Sequence, residues 1–539
     1  MKQRAVLLPV FVAILTLIVF LPALQNDFVN WDDNKNFLEN PYYRGLGWTQ
    51  LHWMWTNQLQ SHYIPLTWMT LGLDYVIWEM DPFGYHLTNV LLHVAAAVLF
   101  YFLALALLQI VFPESLDTAQ LAFGACFAAL LFAIHPLRAE SVAWITERRD
   151  ELSGIFYFLA ILAYLRGFRD TGGKSIARKQ YWACFAFFVL AILSKEMAVT
   201  LPIILLILDA YPLRRLSQMK AILVEKIPFL AVGLIDGIAT ILAGHRERVT
   251  ATLDMIGWIP RIGACIYSLA FYLWKTVLPI HLAPFYAMTP HRVDPRAMPL
   301  QVSLVIVILL VAACIMFRRR LPALAAASLA YAVTLFPVLG FFQGGEHIAA
   351  DRFTYLACLG WALLAGGAFV VLSKKRSGAF IAGGVAIAIV GALSYLTVQQ
   401  VRTWKDSETL WTHAAAVEPS FMAFDNLGSV RMDQSNISGA IENFRLALEM
   451  NPNSAKAHNN LGGAYLNLGD WDPAIREFQI ALSVNPALAS SETGWGFALM
   501  KQGRLDEAIA HFERALKIDP DYATARQSLE TAQALKAAH

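Results

Sequence analysis

Twelve apolar stretches punctuate the first 400 residues, beginning near Ala5, Leu87, Gln120, Leu152, Tyr181, Met197, Ile227, Ile259, Met298, Leu321, Phe353 and Gly378. Each is long enough, or nearly so, to cross the roughly 30 Å apolar core of a bilayer as a helix of about 20 residues. A helix also satisfies its own backbone where no water is at hand. Between them Lys and Arg come in bursts: Arg166, Arg169, Lys174, Arg178 and Lys179; Arg214, Arg215, Lys220 and Lys226; Arg318, Arg319 and Arg320; Lys374, Lys375 and Arg376. Basic residues in short loops stay cytoplasmic. With the N-terminus inside, the first two bursts fit. Three stretches then lie between Lys226 and Arg318, where parity requires an even number. The stretch 259–280 carries Pro260, Arg261, Lys275 and Pro279 and is expected to lie along the interface. Eleven crossings result, with everything after Val398 outside the cytoplasm. Lys2 and Arg4 precede an apolar run to Leu24 without a small-x-small motif, which reads as an anchor and first span rather than a cleaved leader.

Past residue 400 the pattern changes. Pro419, Pro452, Pro486 and Pro520 recur at intervals of 33, 34 and 34 residues. Small and aromatic residues keep register with them: Leu427, Gly428, Ala440, Phe444 and Ala447, then Leu461, Gly462, Tyr465, Ala474, Phe478 and Ala481, then Trp495, Gly496, Ala508, Phe512 and Ala515. This is the period of tetratricopeptide repeats, in which Gly and Ala let two antiparallel helices approach and Phe fills the space between them. The expected organisation is all-α. A polytopic membrane bundle spans 1–400, with a first extracytoplasmic loop at 25–86. A half repeat and linker follow at 401–420 (Trp404, Trp411, Ala414), then an α-solenoid of three repeats at 421–520 and a capping helix at 521–539. The repeat residues are packing groups. Asn459 and Asn460 are the candidates for gripping an acceptor or peptide backbone through their amides, with ordinary solvated asparagines as the alternative.

Composition agrees with this division. Hydrophobic residues make up 57% of the 539, more than a soluble domain accommodates. The net charge of +2 conceals an asymmetry: from Trp404 onward there are 11 Lys/Arg against 17 Asp/Glu, leaving 31 against 23 before it. A basic membrane part is joined to an acidic soluble part, and no nucleic-acid footprint stands out. The five cysteines form no CxxC pair, so neither a disulfide framework nor a zinc site is indicated. No Gly-rich phosphate loop is present, which disfavours nucleotide chemistry.

The candidate chemistry lies in the outward segments. In QNDFVNWDDNKNFLENP, Asp32 and Asp33 could serve as a general base on an acceptor hydroxyl and its orienting partner, or share a divalent cation. Loop or cap carboxylates are the commoner use of such a pair. The run SHYIPLTWMTLGLDYVIWEM suits an amphipathic helix on the bilayer surface, with Trp68, Tyr75 and Trp78 as anchors. His86, Asn89 and His93 share one face of the second span, a pattern of helix–helix hydrogen bonding or a polar cavity. HPLRAESVAWITERRD brings His135, Arg138, Glu140, Arg148, Arg149 and Asp150 to the outer surface, at the level of a lipid phosphate. Arg148, Lys195, Arg352 and His135 are the candidates for that phosphate. Glu140, Asp150, Glu196, Asp351, His86 and Asn89 are supporting groups. Lys195–Glu196 and Asp351–Arg352 could equally be ion pairs capping span ends.

The ordered segments WDDN, PLTWMTLGLDY, DPFGYHLTNVLLH, HPLRAESVAWITERRD, LSKEMAVTLP and ADRFTYLACLG, followed by the repeats, resemble the transmembrane-and-tetratricopeptide O-mannosyltransferase family and its bacterial relatives. More distantly the architecture is similar to other integral-membrane glycosyltransferases of the C class. The resemblance covers most of the chain. It implies an inverting glycosyltransferase that moves a mannose-like hexose from a polyprenyl-phosphate sugar to a hydroxyl of protein Ser/Thr or of an envelope glycan. It also implies catalysis on the extracytoplasmic face of the cytoplasmic (inner) membrane, with the repeats engaging acceptor or partner. By the resemblance Asp32 matches the catalytic base, with Asp33 as its neighbour. One departure is Ile64, where relatives often carry Arg before Pro-Leu, so a contact made by that arginine is in doubt. The transfer itself requires no cofactor and no metal ligand set is evident, while the acid pair leaves room for a divalent cation. The competing expectation is a non-enzymatic, membrane-anchored repeat scaffold for envelope proteins. It accounts for the repeats but not for acids, histidines and arginines gathered on one side. Convergence of Asp32, Arg148, Lys195 and Arg352 on one outward cavity would favour the transferase; their scatter into separate ion pairs would favour the scaffold.

Overall fold

The computed structural model describes residues 2–60, 62–112, 118–246, 257–341 and 347–538. The chain forms two compact units, Met1–Asp406 and Ser407–His539. Part of the expected outward segment 343–352 (Gln343 to Glu346) lies outside the described residues.

In the first unit all twelve apolar stretches are helical. Among the described residues five helices are long and apolar enough to cross a membrane: Leu7–Gln25, Pro82–Val111, Ile145–Asp170, Pro290–Phe317 and Arg376–Arg402. Two bent pairs raise the number to seven: Thr118–Ala133 with Pro136–Ala143, bent by 55°, and Asp351–Ala357 with Leu359–Leu372, bent by 54°. The unit is therefore multi-pass, but length and composition support fewer crossings than eleven. The reason is interruption. At about 1.5 Å per residue, the 15-residue helix Arg178–Ile192 and the 10-residue helix Leu201–Ala210 fall short of the bilayer core. A turn carrying Lys195 and Glu196 separates these two helices. The stretch expected at the interface is the helix Trp258–Val277, which is not among those suited to cross. It turns Arg261, Ser268 and Lys275 inward and leaves Trp258, Ile259, Ile262 and Trp274 exposed.

Each break frees backbone carbonyls, which within a bilayer must find partners in the protein. At the first bend His93 Nε2 meets the carbonyl of Ala133 at 2.8 Å, and the Thr397 hydroxyl donates to the carbonyl of Ile134 at 2.7 Å. His93 therefore serves the helix–helix contact.

The first loop is a small domain of its own. Helices Trp48–Thr56 and Pro65–Trp78 fold over a core of Phe37, Tyr43, Met54, Ile64, Trp68, Leu71, Tyr85 and Ile145. Trp68 is thus a core residue and not an interfacial anchor, whereas Leu73, Val76 and Ile77 on the same helix are exposed. Ile64, at the departure from the family pattern, is likewise buried in this core. A two-stranded antiparallel ribbon, Tyr286–Ala287 with His347–Ala349, is the only sheet among the described residues. It holds Tyr286 against Asp351.

The second unit opens with the helix Ser407–Val417 and continues as three helix pairs: Phe421–Asp433 with Ile437–Met450, Ala455–Leu468 with Trp471–Val484, and Ala489–Lys501 with Leu505–Ile518. Ala523–Ala538 closes it. Trp411 and Ala414 pack in the opening helix, but Trp404 belongs to the first unit. The repeat glycines are explained by contact: a Cβ on Gly428, Gly462 or Gly496 would come within 2.5, 2.7 or 2.8 Å of the ring of Phe444, Phe478 or Phe512. A Gly462→Leu substitution should therefore overpack the middle repeat and cost about 1–3 kcal/mol. Hydrogen exchange on the full chain should show faster exchange in 455–484 with the first unit unchanged.

Candidate active site

The charged residues of the outward turns sit on short, irregular elements, because each turn interrupts a span. Glu147 ends a 3-10 turn, Ile145–Glu147, and Arg148 starts the helix Arg148–Asp170. Successive helical residues point about 100° apart. Arg148 and Arg149 therefore face different neighbours.

Arg149, Lys195 and Arg352 converge on one fully buried carboxylate. Glu147 Oε1 lies 2.5 Å from Arg149 Nη2 and 3.3 Å from Arg352 Nε, and its Oε2 lies 2.8 Å from Lys195 Nζ. Lys195 also reaches Asp150 at 2.8 Å, and the Ser141 hydroxyl donates to the other oxygen of Asp150 at 2.9 Å. Arg352 is paired with Glu140 through Nη1, and its backbone N–H donates to Glu140 Oε2 at 2.9 Å. Three cations thus balance three anions in a region sealed from water. The Arg352 side chain keeps 11% of its surface exposed, the most of the three cations.

The neighbouring charges expected to pair with each other do not. Glu196 leaves Lys195 and meets His62 Nδ1 at 3.1 Å. Burial alone would raise the Glu196 pKa, but His62 and Arg149 overcome it and hold the carboxyl down at about 2. Asp351 leaves Arg352 and accepts from the Tyr286 hydroxyl at 3.1 Å.

Arg148 does not join the cluster. It is fully buried against Asp74 at 2.5 Å, and it donates to Asn89 Oδ1 at 2.7 Å and to the Tyr85 carbonyl at 2.8 Å. Its role is to bolt the first loop's second helix to the second span, and Arg149 takes the place assigned to it. His135 is also committed: Nε2 meets the Thr276 carbonyl at 3.0 Å, and Nδ1 accepts from the backbone N–H of Leu137 at 3.3 Å. It fixes the turn. Asn89 serves Arg148, and His86 is fully buried on the same helix.

The acid pair is split by environment. Asp33 is buried, and both its oxygens are taken, by the backbone N–H of Val29 at 3.0 Å and the Thr146 hydroxyl at 2.6 Å. Burial pushes its pKa up to about 7 despite those hydrogen bonds, with a small contribution from the Asp32 charge. Asp32 is partly exposed, accepts from Gln60 Nε2 at 3.3 Å, and interacts electrostatically with Arg149. A small recess beside it is lined by Gln60, His62, Thr146 and Arg149. Trp31, the residue before the pair, stacks on Trp144 at 4.5 Å and beside Trp404 at 6.5 Å, and the Arg352 guanidinium lies 5.8 Å from its ring centre. The same segment is tied to the end of the last long helix: the backbone N–H of Asp27 donates to the Lys405 carbonyl at 2.8 Å, and Asn26 Nδ2 donates to the Val401 carbonyl at 3.4 Å.

Because Asp33 holds its proton more tightly folded than unfolded, its contribution to stability is full below about pH 4 and is lost as pH rises through about 7. Wild type should lose thermal stability between pH 5 and 8, and Asp33→Asn should lose less over that window in detergent melts.

Among the described residues no group of three or more His, Cys, Asp or Glu is arranged to hold a metal ion. Both Asp33 oxygens already accept hydrogen bonds from the protein, so of the two carboxylates Asp32 is the more open to a ligand.

In the repeat unit Asn459 and Asn460 are used internally. Asn459 Oδ1 accepts from the Ser491 hydroxyl at 2.8 Å, and Asn460 Nδ2 donates to Asp425 Oδ1 at 3.0 Å. They join the first helices of the three repeats, and each remains partly exposed.

Sequence reasoning missed Glu147, the hub of the cluster, and the stack of Trp31, Trp144 and Trp404. Glu147 gives no signal beyond its place in ITERRD, since two of its three cationic partners, Lys195 and Arg352, are 48 and 205 residues away.

Tetratricopeptide-repeat family models match residues 428–469, 455–488 and 489–522. A protein O-mannosyl-transferase of Caenorhabditis elegans is 26% identical over 456 residues, covering 81% of this chain and 62% of its own. The protein O-mannosyl-transferase TMTC4 of Mus musculus is 25% identical over 496 residues, covering 80% and 65%. This chain therefore spans less than two thirds of the length of either relative. Among solved structures, the Sgt2 TPR domain from Aspergillus fumigatus is 20% identical, covering 21% of this chain and 76% of that one, with a TM-score of 0.21. Both relatives are named as glycosyltransferases, and the similarity runs through the membrane unit as well as the repeats. The homologues of this chain over four fifths of its length are protein O-mannosyl-transferases of the transmembrane-and-tetratricopeptide family.

Proposed function

We propose that this chain is an inverting membrane glycosyltransferase that moves a mannose-like hexose from a polyprenyl-phosphate sugar to an acceptor hydroxyl on a protein Ser/Thr or an envelope glycan. The observation that carries the reading is the division of the acid pair. Asp32 is open to a ligand at the edge of a buried three-cation cluster, while Asp33 is withdrawn to hold the loop. Asp32 takes the proton of the acceptor hydroxyl as its oxygen forms a bond to the sugar C1. The bond from C1 to the phosphate oxygen breaks on the opposite face, and the lipid phosphate leaves as an anion. Arg352, the most accessible cation, meets that phosphate first, with Arg149 and Lys195 behind it. No metal is needed, because the leaving group departs already ionised. The site belongs to the extracytoplasmic face of the cytoplasmic membrane, and the repeats recruit the acceptor or its partner from that side.

The test is sugar transfer by the purified full chain in lipid, supplied with polyprenyl-phosphate hexoses and a mixed peptide acceptor pool, with Asp32→Asn as control. Transfer that disappears in a folded variant supports the reading. Absence of transfer with every donor, together with firm peptide binding by the chain, would replace it with the scaffold.

A further inference from the structure

Among the described residues, Gln60 is the one group whose side chain donates a hydrogen bond to the Asp32 carboxylate, with Nε2 3.3 Å from Oδ1. An ionised carboxylate only accepts, so the amide must turn its NH2 side toward it. The backbone beneath this side chain is unusual. Leu59 and His62 exchange backbone hydrogen bonds at 3.2 and 3.0 Å, and Gln60 is the first residue inside the turn they close. Its φ is +52°, in the left-handed region that Gly enters freely and other side chains enter at a cost. Among the described residues five non-glycine positions have positive φ: Gln60, Glu79, Arg214, His281 and Ser435. Of these only Gln60 has a side-chain bond to the acid pair.

The turn is anchored by the residues that follow it. His62 Nδ1 meets Glu196 Oε1 at 3.1 Å, which ties the turn to the Lys195–Glu196 segment. The Tyr63 hydroxyl donates to the Trp55 carbonyl at 3.0 Å, and Ile64 is buried in the core of the first loop. These contacts fix the point from which the Gln60 side chain starts. The segment carrying Asp32 is anchored separately, through Asp33 to Val29 and Thr146. Two independently anchored pieces of the loop thus meet at one hydrogen bond, and that bond falls on an oxygen of Asp32.

We infer that Gln60 is the positioning residue of this site: its amide fixes the plane of the Asp32 carboxylate by holding Oδ1, and leaves Oδ2 to take the proton of the acceptor hydroxyl. The inference rests on the reading of Asp32 as the base. A carboxylate free to turn about its last bond presents the right lone pair only part of the time, and reaction geometry tolerates little misplacement. A donor on Oδ1 also favours the charged form, which is the form that accepts a proton. The other charges acting on or near Asp32 are Asp33 beside it, Arg149 on the helix Arg148–Asp170, and the His62–Glu196 pair. Substitution at Gln60 leaves all of them in place.

The test is sugar transfer by the full chain in lipid as a function of pH, comparing wild type, Gln60→Gly and Gln60→Glu, with Asp32→Asn alongside. Gln60→Gly removes the amide and suits the left-handed backbone, so its melting midpoint should hold. It should lower kcat by about 10–100-fold with KM nearly unchanged. It should also move the acid limb of the rate profile up by about one pH unit. Gln60→Glu keeps the size of the side chain but sets a second carboxylate against the base, and should move the acid limb further. A glutamine that only shapes the turn predicts the reverse order, because Gln60→Glu would then be the milder change. Wild-type kcat and pH profile in both variants would overturn the inference. So would a raised KM at unchanged kcat, or rate losses that follow lowered melting midpoints while the acid limb stays put. If Asp32→Asn abolishes transfer and both Gln60 variants match wild type, this inference alone falls. If Asp32→Asn transfers like wild type, or wild type transfers nothing, the base is struck and the inference with it.

Discussion

Glu147→Gln should destabilise the membrane unit by about 3–5 kcal/mol, the usual cost of removing one partner from a buried ion network. Glu147 is the one carboxylate that touches all three cations of the cluster. Glutamine keeps its size and one acceptor oxygen but removes the charge. Arg149 then loses its closest carboxylate while remaining almost fully enclosed, with Glu196 and Asp32 left as more distant charges. Lys195 retains Asp150 and Arg352 retains Glu140, so the loss falls mainly on one arginine and the collapse is incomplete. Thermal unfolding of the purified protein should show a clearly lowered midpoint. The double variant Glu147→Gln/Arg149→Met should recover part of it, because the orphaned charge is gone. An unchanged midpoint in Glu147→Gln would mean that water, and not this carboxylate, neutralises the arginine.

Asp32→Asn should reduce sugar transfer by about 10²–10⁴-fold, the range over which a positioned general base acts, or roughly 3–5 kcal/mol of barrier. Its stability should stay within about 0.5 kcal/mol of wild type, since the amide oxygen can still accept from Gln60 and, among the described residues, no other hydrogen bond depends on the carboxylate. Asp33→Asn should behave in the opposite sense. Asp33 is closed off by Val29 and Thr146, so its loss should appear in the melting curve before it appears in the rate. Comparing the two variants in one assay separates the base from the scaffold that holds it. Equal losses of transfer from both would remove the distinction on which the proposal rests.

The helices and the repeats were legible in the chain because both are periodic: apolar runs mark the twelve helical stretches, and prolines at 33- and 34-residue intervals mark the helix pairs. The number of crossings was less legible. It depends on where a run breaks, and Pro136 and the Lys195–Glu196 turn break two runs that hydropathy alone would join. The acid pair could be located, but the division of labour within it required knowing that Thr146 and Val29 reach Asp33. The charged turns were found as a set, and their pairings were not. Whether Arg148 or Arg149 faces the cluster is decided by the residue at which the helix starts, a shift of a single position. Lys195 and Glu196, adjacent in the chain, go to opposite neighbours because an extended backbone turns consecutive side chains apart.

The tie between the first loop and the end of the last long helix bears on how the protein is made. Asp32 leaves the ribosome early, but the segment that carries it is held by Val401, Trp404 and Lys405. At roughly 5–20 residues per second, about 20–75 s of translation separate the two. Throughout that interval Trp31 has no Trp404 beside it, and Asp27 has no Lys405 carbonyl to receive its N–H. A nascent chain halted anywhere before residue 401 therefore carries the acid pair without the clamp that positions it, and the pair reaches its place only after the last long helix has been made.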